Sequence, residues 1–240
     1  MIVYGRNAVR EALRGRRTVK RIWATKNALR EPWLAAASSV QAEIASSEEI
    51  EQRCGSQEHQ GVCADVSEFL YASPEELLSA SPGRLIVVLD QVQDPQNLGA
   101  ICRTAECAGS AAVVIGERRS AQVTPAVCKA SAGAVEHLPV ARARNVADFL
   151  AAAKRAGRWC YGADAEAPRR YDEVEYDESS ILVLGSEGRG LRPRVAGQCD
   201  QLVSIPLRGE LESLSVSAAA AVLIYGLTAP STSVNLPRGS

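Results

Sequence analysis

Three stretches of the 240-residue chain gather glycine, proline and polar side chains directly behind short apolar runs, where buried strands would deliver them to a ligand. The first reads Asp90-Gln91-Val92-Gln93-Asp94-Pro95-Gln96-Asn97-Leu98-Gly99-Ala100-Ile101-Cys102-Arg103-Thr104-Ala105. Asn97 suits the N-cap of the helix that follows, which puts Arg103 under two turns into it. The second, Leu184-Gly185-Ser186-Glu187-Gly188-Arg189-Gly190-Leu191, carries three glycines in six residues, and glycine permits close approach of backbone to a ligand. Its spacing fits neither G-x-G-x-x-G nor G-x-x-x-x-G-K-[ST], so neither a dinucleotide nor a nucleoside triphosphate is indicated. The third runs from Ser204-Ile205-Pro206-Leu207-Arg208-Gly209 to Ser213-Leu214-Ser215-Val216-Ser217 and on into Ala218 to Ala221. Ser213 suits the N-cap of this alanine-rich helix, whose small side chains let another element pack closely, as in a core or dimer contact.

Such loops require strands to hold them. From Arg84 onward apolar runs recur at Leu85 to Leu89, Ala111 to Ile115, Ile181 to Leu184 and Leu202 to Ile205, separated by helix-like stretches such as Val146 to Ala156. Runs without polar alternation suit strands covered on both faces, so a mostly parallel α/β sheet is expected. The segment before it has the same rhythm: a strand at Ile2 to Tyr4, a helix at Asn7 to Leu13 stopped by Gly15, and a strand at Val19 to Trp23. A helix at Pro32 to Gln41, a strand at Glu43 to Ala45, a helix at Ser47 to Arg53 and a strand at Gly61 to Val66 complete a small mixed sheet. Between Ser67 and Gly83 the composition turns to Ser, Pro, Glu and Ala and ends in Ser81-Pro82-Gly83, with a short helix expected after Ser73-Pro74. The chain therefore divides into a first unit at 1–70, a linker at 71–83, a larger unit at 84–230 and a turn-forming tail at 231–240 to which no function is assigned.

The net charge of −1 conceals a segregation. Residues 1–30 carry nine basic groups against the single acid Glu11, leaving +8 there and −9 elsewhere. A field of that kind can hold a phosphate backbone, with Arg6, Arg10, Arg14, Arg16 and Arg17 as candidate contacts; a solvated arginine-rich face has the same composition. The seven scattered cysteines, without a C-x-x-C pair, read as reduced thiols. Cys54, His59 and Cys63 lack a fourth ligand and zinc spacing, so no metal is expected. No run approaches the roughly 20 apolar residues of a spanning helix, and the N-terminus lacks a secretory pattern, which reads as a cytoplasmic chain off the membrane.

The first two loops, written D-x-V-x-D-P-x-N-L-G-A-I-x-R-T-A and L-G-S-E-G-x-G-L, together with the third and in this order, resemble the motifs of the SpoU (TrmH) family of RNA ribose 2′-O-methyltransferases of the α/β-knot (SPOUT) class. The likeness covers about Leu85 to Leu227. Tyr4-Gly5-Arg6-Asn7-Ala8-Val9 and His59-Gln60-Gly61-Val62 resemble the L30e-like substrate-binding domain of the RlmB-like 23S rRNA methyltransferases.

The resemblance implies a deep trefoil knot, a homodimer with the helix after Ser213 in its interface, and S-adenosylmethionine held by Leu184, Gly185, Glu187, Gly188, Ile205, Leu207 and Leu214. It implies transfer of a methyl group to a guanosine ribose in 23S rRNA, as part of rRNA processing, with no DNA partner. Arg103 matches the family's essential arginine; a guanidinium rarely gives up its proton, so its implied work is to hold the adjacent phosphate and polarise the hydroxyl. Glu187 would accept or orient, and Asn97, Ser213 and Ser215 would complete the catalytic set. One position departs: the family's S-L-N-V-S stands here as Ser213-Leu214-Ser215-Val216-Ser217. A serine lacks the reach of the amide, so tRNA or another rRNA site, or an RNA-binding protein with weakened catalysis, are the alternatives.

Overall fold

A computed structural model describes residues 1–37, 40–80, 83–211 and 213–228. The Ser81-Pro82 turn signal and the tail at 231–240 lie outside the described residues. Two sheets organise the chain. The smaller is built from β1 (Ile2–Tyr4), β2 (Val19–Ala24), β3 (Ala42–Ile44) and β4 (Val62–Val66) in the order β1-β4-β2-β3, with only β2 and β3 parallel. Helix α1 (Arg6–Arg14) buries Ala8, Val9 and Ala12, spaced for one face, and stops at Gly15. Helix α2 (Pro32–Ala35) is one turn long, shorter than the expected run to Gln41. The chain has to turn back in time to lay β3 beside β2, and that pairing overrides the helix preference of Ala35-Ala36-Ala37. Helix α3 (Ser47–Cys54) opens with a capping box between Ser46 and Glu49 and ends on a left-handed Gly55.

Helix α4 (Pro74–Ala80) leads into a six-stranded, all-parallel sheet in the order β10-β8-β9-β5-β6-β7. Its strands are β5 (Ile86–Leu89), β6 (Ala112–Gly116), β7 (Val140–Ala143), β8 (Trp159–Ala163), β9 (Ser180–Leu184) and β10 (Gln201–Val203). Every residue of β5, β6 and β9 is buried, as strands covered on both faces must be. Two strands are additions to the sequence reading. β7 reads Val-Ala-Arg-Ala, with one branched residue, and β8 reads Trp-Cys-Tyr-Gly-Ala, with none, so neither forms the branched apolar run seen in β5, β6 and β9. Gly162 is one reason, since a Cβ there would meet Leu202 Cδ2 at 2.6 Å and Cys199 Sγ at 2.8 Å.

Helices α5 (Pro95–Cys107), α6 (Pro125–Ala130), α7 (Val146–Arg155), α8 (Pro193–Ala196) and α9 (Val216–Thr228) flank the sheet. Two caps differ from the sequence reading. Asp94, not Asn97, caps α5: its carboxylate accepts from the Gln96 N–H at 3.0 Å, and Pro95, its φ already helical, takes the first position. Ser215, not Ser213, caps α9, its hydroxyl accepting from the Ala218 N–H at 3.2 Å.

The two sheets share one core in which Val3, Val9 and Ala12 join Val127, Val135 and Leu138. A charged pair seals this seam. Arg17, 9% exposed, binds both carboxylate oxygens of Glu136 and reaches the Ser67 carbonyl and Cys128 Sγ. Burial alone would pull its pKa down, but the hydrogen bond and charge of Glu136 hold it above its ordinary value. This corrects its assignment as an RNA contact: a guanidinium spent on a buried carboxylate has no face left for a phosphate.

Candidate active site

The loop after β9 closes on itself. Ser186 and Gly190 exchange backbone hydrogen bonds of 3.2 and 3.0 Å, and a Cβ on Gly185 would sit 2.1 Å from the Gly190 carbonyl carbon. Gly188 and Gly190 stand at φ +74° and +61°, where side chains are disfavoured. The close approach that requires Gly185 is therefore to the loop's own backbone rather than to a ligand. Its far end is anchored by Asp90, 1% exposed at the end of β5, which accepts from the Arg192 backbone N–H at 3.0 Å and from its guanidinium at 2.6 and 2.8 Å.

Glu187 projects from this loop to join the other two. One carboxylate oxygen accepts from Asn97 Nδ2 at 3.1 Å and from the Val216 N–H at 3.3 Å. The third residue of α5, the glycine loop and the first turn of α9 thus meet at one atom. A carboxylate at the start of α9 also faces the positive end of that helix.

Beside this junction lies a cavity of about 500 Å³, at the carboxyl ends of β8, β9 and β10. Leu184, Gly185, Glu187, Gly188, Ile205, Leu207 and Leu214, singled out from the sequence, all line it, as does Ser213. Leu184, Val203 and Ile205 give it an apolar wall. Asp164 and Glu166, from the loop after β8, and Glu187 line it against the single Arg189. That excess of carboxylates favours a cationic ligand bearing hydroxyls and disfavours a polyphosphate. Asp164 and Glu166 escaped sequence reasoning because β8 itself was not recognised; an acidic pair directly after Ala163 was the available signal.

Asn97 and Arg103 do not line the cavity. Asn97 is tied to it through Glu187. Arg103 is exposed on α5 with no hydrogen-bond or ion-pair partner among the described residues, so its charge is uncommitted. Ser215 is exposed at its cap. On the smaller sheet Arg6 pairs with Glu31 at 2.6 Å, and Arg10 and Arg14 pair with Glu11 at 2.9 and 3.4 Å. Arg16 is exposed and unpaired among the described residues.

The comparisons with known proteins converge on this arrangement. Residues 84–225 match the SpoU rRNA Methylase family, and residues 2–72 match the family described as RNA 2′-O ribose methyltransferase substrate binding. The chain belongs to the SpoU family of RNA methyltransferases. YacO of Bacillus subtilis, which carries the name of a TrmH family tRNA/rRNA methyltransferase, is 36% identical over 232 residues, 93% of each chain. A solved Porphyromonas gingivalis protein described as an RNA methyltransferase of the TrmH family is 31% identical, with a TM-score of 0.76 over 94% of this chain and 88% of its own. AviRb of Streptomyces viridochromogenes, a SpoU methyltransferase solved with AdoMet, has the same fold: TM-score 0.78 at 22% identity, over 95% of this chain and 89% of its own. The parallel sheet with its loops at the carboxyl ends is the SpoU methyltransferase fold, and the smaller sheet is the family's RNA-binding part.

Proposed function

We propose that this chain methylates the ribose 2′-hydroxyl of a guanosine in 23S rRNA, in the cytoplasm and as a homodimer, with S-adenosylmethionine as donor. The observation that carries the reading is the meeting of three loops at Glu187, with an acid-lined cavity on one side. The bound donor supplies a methyl group already activated on a sulfonium. Leu184, Ile205, Leu207 and Leu214 would hold its apolar part, and Asp164, Glu166 and Glu187 its charge and hydroxyls. What the chain adds is alignment and a more nucleophilic oxygen. Arg103, permanently charged and uncommitted, holds the phosphate beside the reacting ribose and polarises the hydroxyl. Glu187 fixes Asn97 and the start of α9 so that Ser213 and Ser215 keep their places. The exposed Leu207, Leu211, Leu214 and Tyr225 around α9 support a second copy of the chain as the cover of this face. The trefoil knot is proposed from the resemblance, and the tie from Val216 to Glu187 fits it.

A tRNA target is the second reading, favoured by the tRNA/rRNA name of the Bacillus relative. The experiment is transfer of labelled methyl from S-adenosylmethionine to protein-free 23S rRNA, with tRNA and Arg103→Ala as controls, followed by mapping of the modified ribose. Label on one 23S guanosine that falls about a hundredfold or more in Arg103→Ala is expected, the loss typical of a group that stabilises developing charge. Label on tRNA alone selects the second reading. Measurable cofactor binding without label on either RNA overturns both.

A further inference from the structure

A second cavity opens on the smaller sheet. It is shallow, about 440 Å³, and lined by Arg6, Thr25, Asn27, Ser47, Gln60 and Gly61, a size within the roughly 300–1,000 Å³ of small-ligand sites. The catalytic reading uses none of these side chains. Their hydrogen bonding leaves an unusual surplus of donors. The Gly61 N–H donates to His59 Nδ1 at 2.9 Å, and a ring nitrogen that accepts carries no proton, so the proton sits on Nε2. That nitrogen is 3.3 Å from Ser47 Oγ and donates to it, which frees the Ser47 hydroxyl proton. Thr25 Oγ1 accepts from the Ala28 N–H at 3.2 Å and likewise keeps its own proton. Gln60 Oε1 accepts from the Arg6 N–H at 3.0 Å, leaving the Gln60 amide NH₂ without a partner among the described residues. The Asn27 amide has none on either side, so it offers both a donor and an acceptor. Gln60 ends the short helix at Gln57–His59 in the left-handed conformation, at φ +53°, which turns the chain towards Gly61.

No carboxylate lines this cavity, and the nearby cations come from both halves of the chain. Lys129, on α6, places Nζ 2.8 Å from where a Cβ of Gly5 would lie, and it has no ion-pair partner among the described residues. Helix α6 packs in turn on α5, where a Cβ on Gly99 would sit 2.4 Å from the Ala130 Cβ. β1 packs on α6 and α6 on α5, so two successive packing contacts join the cavity to the helix that carries Arg103.

We infer that this cavity holds one unpaired base of the substrate RNA. The free donors of Ser47, Thr25 and Gln60 meet the carbonyl and ring-nitrogen acceptors of the base, and the Asn27 amide reads a mixed donor–acceptor edge. Lys129, without an ion-pair partner among the described residues, lies beside the phosphate. A duplex cannot enter, because its base edges are already paired and its grooves admit no such pocket. Held there, the base sets the distance from a looped-out nucleotide to the ribose presented at α5. The inference rests on RNA being the substrate, not on the guanosine or on 23S rRNA.

The test uses the full chain with two labelled probes, a short mixed-sequence single-stranded RNA and a duplex of the same strand, titrated by fluorescence anisotropy across a range of salt. Asn27→Ala and Ser47→Ala, both at exposed side chains, should each weaken the single strand about fivefold to tenfold, the worth of one or two neutral hydrogen bonds. Duplex affinity and S-adenosylmethionine affinity should stay at parent values. The salt slope should not change, because no phosphate contact is removed. On the unsubstituted protein, a single strand carrying 4-thiouridine should crosslink at 25–27, 47 or 60. Unchanged single-strand affinity in both variants, equal loss on both probes, or crosslinks confined elsewhere would overturn the proposal. Failure of methyl transfer on every RNA would leave the selective loss and the crosslink standing and would remove only the catalytic reading.

Discussion

At the scale of single residues, the departure at Ser215 loses much of its weight once the cap is seen. Serine and asparagine are near-equivalent N-caps, and Ser215 performs that task for α9 directly beside the Val216 N–H that Glu187 receives. Ser215→Asn should therefore leave stability unchanged and methyl transfer within about threefold of the parent, whereas Ser215→Ala should cost about 1 kcal/mol in urea unfolding. A large gain of transfer in Ser215→Asn would instead mean that the amide reaches the RNA. The residues around the larger cavity were readable from sequence where a glycine-rich loop follows an apolar run, as at Leu184, Gly185, Glu187 and Gly188. The caps were not. Asn97 and Asp94 are both good cap residues, and only the fixed φ of Pro95 decides between them; Ser213 and Ser215 differ only in where the chain turns into the helix.

At the scale of elements, the strands of the larger sheet were legible where branched residues run together and were missed where they do not. β5, β6 and β9 follow from Val, Ile and Leu buried on both faces, while β7 has an exposed Arg142 and β8 a glycine demanded by Leu202 and Cys199. Missing β8 meant missing the acidic loop it delivers. The loop after β9 provides the sharpest element-level prediction. Gly185→Ala places a methyl group against the Gly190 backbone, with no flexible side chain to yield. The Ser186–Gly190 closure should open, lowering stability by about 1–3 kcal/mol as overpacking does. S-adenosylmethionine affinity, measured by calorimetry, should fall at least tenfold. Gly188→Ala meets no atom within 4 Å and is strained only by its φ of +74°. Its cost should be about 1 kcal/mol, so steric closure and backbone strain can be separated by the pair.

At the scale of the whole molecule, the +8 segment is a composite of surface and seam. Arg17 is invested in Glu136, whose side chain is 1% exposed, so Arg17→Ala strands a buried carboxylate and should cost about 3–5 kcal/mol. Arg16→Ala, next to it in sequence, should leave stability alone and reduce the salt slope of RNA binding by about one. Glu11 extends the same seam, bonding His137 at 2.9 Å while Arg10 and Arg14 flank it. Burial pushes its carboxyl up, but the hydrogen bonds of His137 and Arg10 and the neighbouring guanidinium charges outweigh it and hold the pKa below the ordinary 4.5. A carboxyl depressed by folding binds fewer protons in the native state than in the unfolded one. Its contribution is therefore complete above the unfolded value and disappears as the pH falls through the folded one. Glu11→Gln keeps the stem that packs where a Cβ on Gly133 would come within 2.5 Å, and removes only the charge. The variant should unfold at lower urea than the parent at neutral pH, and the two midpoints should converge as the pH falls below the ordinary carboxylate range. A gap that persists in acid would mean that the seam depends on the shape of this side chain and not on its ionisation.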